Sequence, residues 1–435
     1  MNPANPLLDF SGLPRFNDFD PQVVSAALDT LLAQNRQLIE SVGQAGQPAT
    51  WEGFVAPLQD ANERLRRAWG QVAHLNAVLN SPALREAYNA NLPRVTRYFT
   101  ELSQNAALFS KYKALHASEG FPRLPRARRK LIENELRDFR LGGADLDAQG
   151  KLRFAQVSEK LAGLSSKFND NLLDATNAFA YLVTDPAVLN GVPPDVVAAA
   201  AEAARQAGLS GWKLTLHMPC YLPVMQYAEN RDLRQTLYRA YAIRASEFGD
   251  PRWDNSPVIR EILILRKEQA KLLGFANFAE FSLQPKMAKT PQQVIDFLES
   301  LAARAKPYAE RDLAELAGLA AGPLGLGKLE PWDVAYVSEK LRAQRYAFSD
   351  QQLRQYFPED VVLAGMFRVV QVLYGLRVEV DQAATWHPDV RFFSLRAEDG
   401  RAVGQFYLDL YARPSKRGGA WMDDAISRRR VAQGI

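Results

Sequence analysis

The chain has 435 residues, of which 47% are apolar and 23% charged, enough to bury a large core in one big helical body or in two to three domains. Lys and Arg exceed Asp and Glu by only four, 53 against 49, so the charge is a mixed surface and no nucleic-acid partner is expected. No run approaches the roughly 18 apolar residues that span a bilayer, and the first residues lack the basic and apolar regions of a secretion signal, so a cytoplasmic chain with no membrane partner is expected.

Residues 1–20 are rich in Asn, Pro and Asp and predict an extended arm laid on the body. Asp20 and Pro21 then form an N-cap and a first helical position, and Val24, Ala27, Leu28, Leu31 and Leu32 recur at helical spacing. A second amphipathic run, residues 51–79, sets Phe54, Leu58, Leu65, Trp69, Val72 and Leu75 along one side. A third opens at Ser81-Pro82 and continues to Phe109, bent at Pro93. The basic run at 121–131 reads as a solvated loop and first helical turn, because Glu133, Glu135 and Asp138 follow at once. Residues 141–150 are the clearest linker. The helix after them carries the stripe Leu161, Leu164, Phe168, Leu172 and Leu173.

Residues 196–207 predict a helix that Gly208 ends. In WKLTLHMPCYL, residues 212–222, Leu214, Leu216 and Met218 alternate with Lys213, Thr215 and His217, which predicts an edge strand limited by Pro219 and Pro223. Helices resume at Ser256-Pro257, and Thr290 to Gln293 reads as a capping box. The glycine-rich loop at 322–332 lacks the spacing of a phosphate cradle and reads as a connection. Helices at 333–345 and 360–374 lead to a hairpin. Phe406, Leu408 and Leu410 alternate with Gln405, Tyr407, Asp409 and Tyr411, and Asp399-Gly400 supplies the turn that folds residues 392–395 back beside them. Beyond Pro414, Gly418 and Gly419 remove side-chain bulk ahead of Ala420-Trp421-Met422, so another backbone could lie close.

These residues display no catalytic constellation. His74, His116, His217 and His387 are dispersed, and none lies four from another with a glutamate beside it. Cys220, the single cysteine, reads as a buried small hydrophobe, and on a strand its three-residue separation from His217 sends the two to opposite faces. The acidic pairs Asp423-Asp424 and Glu359-Asp360 read as solvated or capping groups. Gly418, Gly419, Ala420 and Trp421 are the candidate binding residues. As a free edge they would pair through the main chain with an extended peptide; the sequence leaves equally open that they pair with another protein strand or simply pack.

The run GQFYLDLYARPSKRGGAWMDD, residues 404–424, resembles the segment that precedes the zinc site in the thimet oligopeptidase family of zinc metallopeptidases, most closely its bacterial oligopeptidase A branch. NPLLDFSGLPRF, FGDPRWDNSP, LLGFANF, PWDVAYVSEKL and WHPDVRFF extend the resemblance along nearly the whole chain. It implies a mainly α fold: a large, two-lobed, zincin-like helical body with a small, largely antiparallel sheet near the C-terminus. Residues 1–141 would be an N-terminal helical stack, 151–385 the helical wall of a deep channel, and 386–435 the hairpin and substrate strand. The implied activity is endopeptidase hydrolysis of short peptides, with one zinc ion and a glutamate general base in the complete enzyme. The family's H-E-x-x-H helix would follow residue 435, so no metal is expected on this chain. The alternative is a non-catalytic helical peptide-binding or scaffold module.

Overall fold

Capping side chains mark where several helices of this protein begin. The structure is a computed structural model that describes residues 5–429. Asp20 accepts from the Gln22 N–H, and a 3₁₀ turn, Pro21–Val23, delivers the chain into α1 (Val24–Gly43). A π turn capped by Thr50 leads into α2 (Ala56–Val78). Ser81 accepts from the Leu84 N–H to start α3 (Pro82–Ser103), which runs through Pro93 without ending. The single run expected to reach Phe109 is instead two helices. Asn105 accepts from the Leu108 N–H, satisfying one of the orphan donors of a new helix, α4 (Ala106–Ala117).

Helices α5 (Arg126–Leu141) and α6 (Ala148–Ala178) complete this part. The α6 stripe read from the sequence is only half-buried, and its buried positions are Phe154, Val157, Asn171 and Ala175. Two apolar clusters hold the stack. Leu28, Leu31, Leu65, Leu75, Val95 and Tyr98 centre one, and Phe54, Leu108, Tyr112, Ile132 and Phe139 the other. The described part of the N-terminal arm contributes Leu7 and Phe16 to the first cluster through short 3₁₀ turns, an arm pinned by its apolar side chains rather than continuously extended.

The next part opens with β1 (Tyr181–Val183), followed by α7 (Pro194–Gln206) and β2 (Trp212–Leu214), which pairs antiparallel with β1. The strand expected over 212–222 is only its first three residues. From Met218 the chain is helical, α8 (Met218–Tyr227), with His217 at the N-cap. Pro219 lies in the first turn, where a missing N–H costs nothing and a fixed φ favours helix; this outweighs a short alternating pattern. With α9 (Arg231–Ile243), α8 and β2 close a third cluster around Leu214, Leu216, Val224, Leu233 and Leu237.

Helices α10 (Ser256–Leu272), α11 (Phe278–Leu283), α12 (Pro291–Ala321), α13 (Val334–Tyr346), α14 (Asp350–Arg354) and α15 (Glu359–Tyr374) follow. At the start of α12 Thr290 accepts from the Gln293 N–H, but Gln293 reaches back to the Lys289 N–H, so the expected box is offset by one residue.

A second sheet, β3 (Arg377–Val380), β4 (Arg391–Arg396) and β5 (Ala402–Leu408), is antiparallel in that order. Gly400, at φ +82°, makes the expected turn, and Phe393 faces Phe406 across the hairpin. Among the described residues the fold is thus largely helical with two small antiparallel sheets. Among the described residues no helix is long and apolar enough to cross a membrane.

Candidate functional site

Beyond Leu408 the chain leaves the sheet and crosses the molecule as an irregular strap. Its backbone has no ladder of its own, so side chains and neighbouring helices must hold it. The Asn80 N–H donates to the Ser415 carbonyl (2.9 Å), the Arg417 N–H to the Ala77 carbonyl (2.8 Å), and the Asn177 side-chain amide to the Pro414 carbonyl (2.9 Å). Further on, Arg429 pairs with Asp60. The strap is therefore bound to both ends of α2 and to α6.

A second set of ties lies within the strap. Asp409 accepts from both terminal nitrogens of Arg413 (2.8 and 2.7 Å) and from the Trp386 indole (3.0 Å), and it pairs with Lys416 (3.0 Å). Burial pushes the Asp409 carboxyl up, but the hydrogen bonds from Arg413, Trp386 and Lys416 outweigh it and hold the group well below the usual carboxylate range. No sequence motif singles out this network. Arg413 and Lys416, four and seven residues after Asp409, were its local signal; Trp386 is linked only by the fold.

Two clefts flank Pro414. One, about 520 Å³, is lined by Asn80, Arg85, Asn89, Asp174 and Asn177 together with Pro82 and Leu173. The other, about 210 Å³, lies between α7 and β2 and includes Lys213, His217, Cys220 and Arg413. Cys220 and His217 thus line one cleft on the first turn of α8 and are not on opposite faces of a strand. This still gives no activated thiol. Burial pushes the Cys220 thiol up and the His217 imidazole down, and the thiol's hydrogen bond is with the Thr215 N–H (3.4 Å).

The candidate binding residues follow directly. Gly418, Gly419 and Ala420 are exposed, Trp421 is half-buried, and none of the four lies in a strand: Gly418 and Gly419 form a bend, and Ala420 and Trp421 are irregular. Among the described residues none of their backbone groups is paired. Gly419 needs its lack of a Cβ, at φ +94°, while the space a Cβ would occupy at Gly418 is open. The Arg417 guanidinium lies 4.5 Å from the Trp421 ring, fixing the far end of the segment.

The four histidines occupy separate surroundings. His74 packs on Phe16 and Trp386, His116 on Phe121, His217 caps α8 and His387 faces Asp389. Among the described residues no three His, Cys, Asp or Glu side chains are placed to hold a metal ion. Asp423 and Asp424 lie exposed beside the segment, and Glu359 opens α15, where it accepts from Arg391 and Tyr411.

Residues 26–151 match the family model for the Neurolysin/Thimet oligopeptidase N-terminal domain, and residues 224–434 match Peptidase family M3. The chain is 47% identical over 438 residues to Oligopeptidase A of Haemophilus influenzae, covering 100% of this chain and 64% of that protein. It is 45% identical over 437 residues to Oligopeptidase A of Escherichia coli, covering 99% of this chain and 64% of that one. To the organellar oligopeptidase A of Arabidopsis thaliana it is 37% identical over 440 residues, covering 98% and 55%. The chain therefore spans less than two thirds of the length of these relatives. With two family models matched in order and this identity sustained along its length, the chain belongs to Peptidase family M3.

Proposed function

We propose that this chain is the peptide-receiving part of a zinc oligopeptidase that hydrolyses internal bonds of short peptides, with residues 418–421 lying along the extended substrate. The observation that carries this reading is that, among the described residues, no backbone group of Gly418, Gly419, Ala420 or Trp421 is paired, directly after a strap tied to Ala77, Asn80 and Asn177. Main-chain pairing with such a segment gives affinity with little sequence preference, as general peptide degradation requires. The open space beside Gly418 admits a second backbone.

Zinc enters this reading only through the family. The described residues do not fit it, since no three candidate ligands converge, and no step of peptide binding runs through a metal. What these residues do is bind and orient.

The test is titration of the chain with a fluorescently labelled, unstructured peptide. Saturable binding is expected, weakened about tenfold, or about 1.4 kcal/mol, by Gly418→Val. Equal affinity in the variant overturns the assignment of the segment. In a parallel assay with a fluorogenic peptide and added zinc, the chain is expected to show no turnover; stoichiometric zinc with turnover would overturn the division of labour.

A further inference from the structure

We infer that Asp409 is the positioning residue for the peptide-facing segment: its carboxylate sets the path of residues 410–417 and so the attitude in which Gly418 to Trp421 meet a substrate. The inference rests on the peptide-binding reading above.

The geometry is specific to this role. Asp409 is the first residue after β5, and residues 409–417 contain neither helix nor strand. Its side chain is 10% exposed, as are those of Arg413 and Lys416. One carboxylate therefore gathers two buried cations from its own segment and an indole from the chain ahead of β4. Lys416 also donates to the carbonyls of Asp409 (2.8 Å) and Tyr411 (3.0 Å), which closes the strap on itself. The network fixes the entry to the strap; Ala77, Asn80 and Asn177 fix its exit. After the Arg417 N–H bond to Ala77, no hydrogen bond among the described residues holds Gly418, where the proposed binding segment begins.

An ordinary stabilising network would leave peptide affinity alone so long as the chain stayed folded. A positioning network would not. Removing the charge frees Arg413 and Lys416 to seek other partners and lets residues 410–417 take several paths, so a peptide must first select one of them.

The experiment compares wild type, Asp409→Asn and Asp409→Glu by peptide titration, segment-resolved hydrogen exchange and thermal melting. In Asp409→Asn, faster exchange is expected in residues 410–421 with α1 to α4 unchanged, together with about a tenfold rise in peptide Kd. Asp409→Glu, which keeps the charge one methylene further out, is expected to recover part of the affinity. Folded Asp409→Asn with wild-type affinity overturns the inference, whether or not exchange has changed. Should Asp409→Asn not fold, Lys416→Met decides in its place: it leaves the Arg413 and Trp386 bonds and removes only the ties across the strap. Unchanged affinity in that variant has the same meaning. A wild-type chain that binds no peptide sinks the peptide-binding reading and this inference with it, whereas wild-type binding with unaltered variants sinks this inference alone.

Discussion

Trp386 stands edge-on to the imidazole of His74, with ring centroids 4.3 Å apart and planes 75° apart, while its indole N–H donates to Asp409. One side chain thus joins α2 to the root of the strap. Burial lowers the His74 pKa from its ordinary 6.5, the nearby Asp423 and Asp409 carboxylates partly offset this, and Lys416 adds to it. The Nε2 atom is buried with no hydrogen-bond partner among the described residues. Burial lowers His217 in the same way. The folded state therefore keeps these imidazoles neutral at a pH where the unfolded chain has taken up protons. Their contribution to stability is complete above the unfolded value and is lost as pH falls through the lowered, folded one. The melting temperature is expected to drop as pH is taken from about 7 to about 5, and His74→Phe is expected to flatten that drop. An unchanged slope in His74→Phe would assign the acid sensitivity elsewhere.

The hairpin that launches the strap depends on Phe393. This side chain is fully buried, lies 5.1 Å from Phe406 in a stacked pair and meets Phe367 of α15 edge-on. Truncation to alanine leaves a cavity between sheet and helix and should cost about 3–5 kcal/mol. Urea unfolding checks this: the midpoint should fall with little change in slope, and a loss below about 1 kcal/mol would mean that the sheet closes over the gap.

How far the sequence spoke for itself depended on how local each signal was. Asp399-Gly400 announced the hairpin because a type of turn is encoded by the residues that make it, and Gly400 has the positive φ it requires. The alternation in 212–222 does not extend the strand past Leu214, because proline is compatible with both a strand edge and a helix start and the packing of Tyr221 and Val224 into the third cluster favours helix. The helix start at Asn105 is hard to see in the sequence, because one capping residue between two apolar helical runs barely interrupts their periodicity. β1 is three residues long and owes its conformation to β2. Gly418 and Gly419 stand out in the sequence as a glycine pair, whereas Asp409, which anchors the strap before them, reads only as a polar member of an alternation. Its partner Trp386 is 23 residues distant, and no spacing rule links an aspartate to an indole so far away.

A buried ion pair elsewhere separates two kinds of arginine. Asp333 and Arg234 are both 0% exposed and joined at 2.8 Å, with the Arg234 guanidinium over the Tyr336 ring. Arg231 binds the same carboxylate at 2.6 Å from a side chain 34% exposed. Asp333→Ala strands Arg234 without its counter-charge and should cost about 3–5 kcal/mol. Arg231→Ala leaves the buried pair intact and should cost about 1–2 kcal/mol, mainly its bonds to the Leu326 and Lys328 carbonyls. Equal losses on denaturant unfolding would contradict this ranking.

Two helices, α12 and α15, carry apolar surface that the described residues do not cover. Ala320 is the only buried residue of α12, and Phe297 and Leu301, one turn apart, are exposed. On α15 Val369, Val372 and Leu373 are exposed at helical spacing, Val372 by 75%. Apolar stripes of this kind, facing water, favour association over solvation. The chain is therefore expected to bind a hydrophobic dye in its folded state and to self-associate as its concentration rises. The double variant Phe297→Lys and Val372→Lys should reduce both effects. Because each side chain already faces solvent, it should change folding stability by no more than about 0.5 kcal/mol. A monodisperse wild-type chain that binds no dye would show that these stripes are masked, and a double variant that melts far below the wild type would show that they pack within the chain.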